Sequence, residues 1–248
     1  MRSSNPALTS NTFSGFGPVS NAETMTVQGT VNKTACLLLL VLLSAAWTWN
    51  LFFKSGGQVA AVQTWMTIGL VGGFAFSLLT IFKKNWAPIT APAYACMEGL
   101  FLGAVSALFE TAYPGIAIQA VGLTTATLVT MLFAYRTGLI RMTEKFKLGL
   151  VAATGGIALV YFVSMILGFF GIGVPFIQGS GLFSVLFSLF VVGVAALNLV
   201  MDFDLIEQAS GRRAPKYMEW YGAFALMVTL VWLYVEMLRL LSKLNQRK

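Results

Sequence analysis

Apolar residues fall into seven long runs, at about 34–53, 61–82, 89–109, 115–135, 148–170, 181–203 and 218–241, parted by short polar connections. A helix needs about 17–25 residues to cross a bilayer, and each run has that length. A lone strand cannot satisfy its backbone in hydrocarbon, so every run reads as a helix. The pattern predicts an all-α polytopic membrane protein with seven transmembrane helices. Residues 1–30 form a polar N-terminal tail ahead of a seven-helix domain at 31–248. Residues 1–24 are rich in Ser, Asn, Thr, Gly and Pro, cannot bury a core, and read as mobile. MTVQGTVNK (25–33) reads as an interfacial lead-in, and ASGRRAPK (209–216), the longest connection, as an interhelical turn.

Composition agrees. Of 248 residues, 57% are hydrophobic and 10% charged, against about 25% charged in soluble domains; mean hydropathy is +0.79. The net charge of +7 resides at span ends, which points to membrane orientation rather than to nucleic acid. One face would receive Arg2, Lys33, Lys83, Lys84, Arg136, Arg141, Lys145, Lys147, Arg212, Arg213 and Lys216. Only Lys54, Arg239, Lys243, Arg247 and Lys248 fall on the other, so the N-terminus is expected in the cytoplasm. Seven full spans then put a basic C-terminus outside, against that rule. Gly69-xxx-Gly73 and Gly99-xxx-Gly103 permit close helix approach within one bundle, and a monomer is expected. Trp47, Trp49, Trp86, Trp220, Tyr113 and Tyr217 sit near run ends as interface anchors.

The chain has no His, and Cys36 and Cys96 both lie in apolar runs. Histidine-dependent zinc sites and triads are therefore excluded, and two such thiols make neither a disulfide framework nor a metal motif. There is no Walker loop and no dinucleotide fingerprint, so neither an enzyme nor a resident cofactor is expected.

The candidate chemistry is acidic. Glu23, Glu110, Glu144, Glu207 and Glu219 fall in tails, loops or span ends and are expected to be solvated. Asp202 lies seven residues before the turn at Ala209, roughly 10 Å into its helix. Glu98 lies seven residues beyond Ala91-Pro92, roughly 10 Å in from the same face. Two facing carboxylates in a low dielectric cannot both ionise cheaply, so such a pair holds a proton or a cation. Calcium suits it, since that ion takes about 6–8 hard oxygens. The alternative for Glu98 is a protonated acid bonded to neighbouring backbone or to Thr90. Asp204 points about 200° away from Asp202 and is expected to meet Lys83 or Arg212. Glu236 lies roughly 28 Å along the last span from Lys216, where an ion pair with Arg239 or Lys243 accounts for it.

Three stretches carry a family likeness: NWAPITAPAYACMEGLFLG (85–103), LNLVMDFDLIEQ (197–208) and YMEWYGAFALMVTLVWLYVEMLRLLSKL (217–244). In order, on seven spans, they resemble the Bax inhibitor-1/YccA family of transmembrane proteins. The resemblance implies a central last helix wrapped by the other six. It also implies a pH-sensitive calcium leak in which aspartates on helices six and seven share a proton. Asp202 takes the place of the first. An ungapped match puts Thr229 at the second, and sliding it by seven residues puts Glu236 there. The second carboxylate is therefore expected from Glu98, or Asp202 works alone. Family members are linked to suppressing cell death and, in bacteria, to restraining a membrane-bound ATP-dependent protease. That makes a bacterial inner (plasma) membrane the expected location. It also leaves two functions open: a cation leak among membrane lipid, or an interaction protein that conducts nothing.

Overall fold

The computed structural model describes residues 24–247. Of the expected tail, 1–30, residues 1–23, with Glu23 among them, lie outside the described residues. Seven long helices appear where the apolar runs predict them: α1 (Val27–Lys54), α2 (Val59–Phe82), α3 (Ala87–Ala112), α4 (Ile116–Arg136), α5 (Glu144–Phe169), α7 (Leu182–Gly211) and α8 (Met218–Asn245). A single turn, α6 (Pro175–Gln178), precedes α7. All seven are long and apolar enough to cross a membrane. Short turns make neighbours in sequence antiparallel, so Lys33, Lys84, Lys147 and Glu219 gather at the N-terminal end of the bundle. Lys54, Glu110 and Lys243 gather at the far end.

Helix boundaries differ from the apolar runs where polar residues continue a helix. α1 begins at Val27, because the Thr26 side chain accepts from the Gly29 amide and caps the first turn. The lead-in is thus mostly helix. α7 runs past Asp202 to Gly211, since Leu205, Ile206, Glu207, Gln208 and Ala209 tolerate a helix well. Arg213 at φ 55 then turns the chain into α8.

Over half of the apolar span of α7 and of α8 is buried, 56% each, against 17–22% for α1, α2, α4 and α5. α8 packs on α1, α3, α4 and α7, while α2 leans on α3 and α5 on α7. The last helix is therefore central, as the family likeness implies. Outer faces show Leu43, Val71, Phe74, Phe133 and Phe162, a surface fit for hydrocarbon and not for water.

Both glycine pairs serve packing within the bundle. A Cβ on Gly69 would stand 2.6 Å from the Met97 carbonyl of α3. One on Gly99 would overlap Ser44 and the Val41 backbone of α1, and one on Gly103 would overlap Thr48 and Ala45. α1, α3 and α2 are thereby clasped backbone to backbone.

Candidate functional site: a buried carboxylate between the last two helices

The inward face of α7 is set by helical periodicity. Ser184, Ser188, Val191, Ala195, Asn198 and Asp202 follow in steps of four and three residues, which keeps them on one side of the helix. All are 2% exposed or less. Asp202 lies nine residues before Gly211, about 13 Å along the helix. Thr229 lies eleven residues into α8, about 16 Å along. The two meet across the seam, where Thr229 Oγ1 donates to Asp202 Oδ2 at 2.6 Å. That length lies within the ordinary range of a hydroxyl–oxygen hydrogen bond. The Thr229 hydroxyl has a second, longer acceptor in the Ala225 carbonyl at 3.4 Å. One turn back on α7, Asn198 donates to Thr154 Oγ1 of α5 and to the Val194 carbonyl, both at 2.9 Å.

The residue meeting Asp202 is thus Thr229, the position reached by the ungapped match. Glu236 sits seven residues further along α8, roughly 10 Å away along the axis. Its carboxylate pairs with Arg239 at 3.0 Å and accepts from Tyr161 at 3.0 Å. Arg239 also lies over the Tyr161 ring, 4.9 Å from its centroid. Glu236 therefore belongs to the far end and is no partner for Asp202.

The expected pairing of Glu98 with Asp202 is corrected. α8 packs on both α3 and α7, and Glu98 faces α2. A Cβ on Gly73 would stand 3.0 Å from Glu98 Oε2, which places that carboxyl against α2, and Tyr94 lies one turn back on the same helix. Thr90 is not its partner either, since it bonds Thr80 of α2 at 2.7 Å. Asp202 and Glu98 hence form no two-carboxylate calcium site. Among the described residues no group of three His, Cys, Asp or Glu could hold a metal ion.

Asp204 also finds a cation other than those expected. Its carboxylate pairs with Lys147 at 2.6 Å and accepts from Gln208 at 2.6 Å. Lys147 opens α5, the helix that packs on α7, whereas Lys83 closes α2 on the other flank. Lys83 lies over Trp86 at 6.0 Å, and Arg212 is exposed beyond the end of α7.

Three acids read as solvated are engaged. Glu219 is fully buried. Its carboxylate binds Lys33, pairs with Lys216 at 2.9 Å, and accepts from the amide and hydroxyl of Thr26 at 3.0 and 2.9 Å. The Met25 amide donates to the Ala214 carbonyl at 2.6 Å beside it. This knot ties the start of α1 to the α7–α8 turn. The signal in the sequence was an acid in the first turn of α8 facing a polar lead-in with its own lysine. Glu110 accepts from the Gly115 and Ala117 amides at 2.6 and 3.0 Å, capping α4. Glu207 accepts from the Tyr135 hydroxyl. Glu207 is nonetheless exposed, as read, and Glu144 stays largely in solvent.

A family model described as Bax inhibitor 1 like matches residues 5–246, nearly the whole chain. The chain belongs to the Bax inhibitor 1 like family. No curated protein and no solved structure matches it. As a Bax inhibitor 1 like protein with seven apolar helices, it is an integral membrane protein, and the Asp202–Thr229 seam lies between its two most buried spans.

Proposed function

We propose that this Bax inhibitor 1 like protein is a proton-sensitive cation leak, with calcium as its cargo and Asp202 as the gating group. The observation that carries this reading is a carboxylate buried at the centre of the bundle, on the seam of the two most enclosed helices. A charge at such depth is costly. It is favoured when a cation passes and disfavoured when none does, and a proton removes it. Ionised, Asp202 can only accept, and Thr229 donates to it. Protonated, Asp202 itself donates, and Thr229 is released to its second acceptor, the Ala225 carbonyl. One proton thus reverses the direction of a hydrogen bond between α7 and α8.

The oxygens near Asp202 include its own carboxylate, the Thr229 hydroxyl and, one turn away, the Asn198 amide. Such hard oxygens are the kind calcium prefers. A bacterial inner membrane with the N-terminus in the cytoplasm is the setting proposed with it.

The test is calcium flux into liposomes that hold the purified full chain and an entrapped indicator, across a range of pH. Wild-type protein is expected to leak calcium with a clear pH dependence, and Asp202→Asn to lose that dependence. Identical flux and pH response in the two would remove Asp202 from the mechanism.

A further inference from the structure

The stripe that carries Asp202 ends at the far face on Ser184 and Ser188, and there it meets a cation that belongs to the protein. Lys243, in the last turn of α8, is only 6% exposed. Its ammonium donates to Ser188 Oγ at 2.7 Å and to the Ser184 carbonyl at 3.3 Å. A third oxygen, Ser184 Oγ, is buried there with no hydrogen-bond partner. A lysine this near a helix end ordinarily extends its ammonium into water. This one turns inward. The neighbouring Arg239 is already taken by Glu236.

We propose that Ser184 and Ser188 form a second cation site at the far end of the α7–α8 seam, and that the Lys243 ammonium occupies it as a tethered plug. The inference rests on the cation-leak reading above. Hydroxyl and carbonyl oxygens replace the water shell of a small cation in the same way that they hold this ammonium. Four features align the site with Asp202. Ser184 and Ser188 share its helix face, they are equally buried, their partner is again α8, and only Val191 and Ala195 stand between them and Asn198. A positive charge fixed there repels an ion arriving along the seam, a divalent one most. Without that charge the serine oxygens are open to small cations, and among organic ones to primary ammonium ions, which match the lost side chain.

The experiment uses full-length Lys243→Ala in the same liposomes, with Lys243→Met as a second variant that keeps the apolar stem. Both are checked for a single elution peak and an unchanged helical spectrum. Calcium leak is expected to rise about tenfold in either variant, equivalent to lowering the barrier by about 1.4 kcal/mol. Added n-butylammonium should suppress the leak of Lys243→Ala and leave wild type unaffected. Lys243→Arg should behave as wild type. A wild-type leak that neither variant raises would overturn the plug and leave the Asp202 reading standing. Silence from wild type and both variants would overturn the two together. A leak raised in Lys243→Ala but untouched by n-butylammonium would also overturn the plug, pointing to a loosened helix end instead.

Discussion

Thr229 donates its hydroxyl hydrogen to Asp202 over 2.6 Å, from the central helix to the neighbour that shares its burial. Where the family likeness leads one to expect two carboxylates, the chain sets one carboxylate against a neutral donor. Like-charge repulsion, which lets paired acids hold a proton near neutral pH, is therefore absent between these two positions.

Thr229→Asp restores that repulsion. The variant should retain its proton to higher pH than wild type, so its flux transition should move toward alkaline pH; the same liposome assay reads this. Thr229→Val removes the donor without changing the shape of the side chain much. It should cost about 1.5–3 kcal/mol of stability at a pH where Asp202 is ionised, the usual effect of losing a hydrogen bond to a charged group. Chemical denaturation in detergent measures that loss, and a variant as stable as wild type would show that Thr229 does not hold the ionised acid.

The knot at Glu219 is the most concentrated ionic contact at the N-terminal end. Glu219→Gln leaves Lys33 and Lys216 without their counter-charge. Breaking one side of a buried pair costs about 3–5 kcal/mol, and the lower end applies because Lys216 is 52% exposed and partly screened by water. The expected result is a lower midpoint of thermal unfolding. Easier proteolysis near residue 25 should accompany it, since Thr26 is held by the same carboxylate.

Glycines separate into two groups with opposite expected outcomes. Gly99→Leu drives a side chain into the α1 backbone at Val41 and should prevent the bundle from assembling. Gly122→Ala meets nothing within 4 Å and should stabilise α4 by about 0.5–1 kcal/mol through helix propensity alone. Expression yield in membranes and thermal unfolding of the purified protein distinguish the two.

The seven helices were legible because length and hydropathy suffice to define a span. The close approaches at Gly69 and Gly99 were legible because small residues four apart admit little else. Asp202 stood out as an acid within an apolar run. Its partner did not, because a threonine in LMVTLVWLY has no signal of its own; only the family match pointed to it. Depth arithmetic set Glu98 level with Asp202, yet a distance along an axis carries no information about which way a side chain faces. The packing of α3 against α2 decides that. Asp204 needed a cation, but Lys147 is 57 positions back in the chain, and only packing of α5 on α7 brings it near. Glu219 was hidden by its address at a span end, where most acids meet water.

The glycine clasp has a mechanical side. With α1, α2 and α3 drawn together until their main chains touch, that flank has no slack to give. α5 rests chiefly on α7, through Thr154, Lys147 and a few apolar residues. The α5 flank is thus held far more loosely than the α1–α3 side, and it borders the very seam where Asp202 resides.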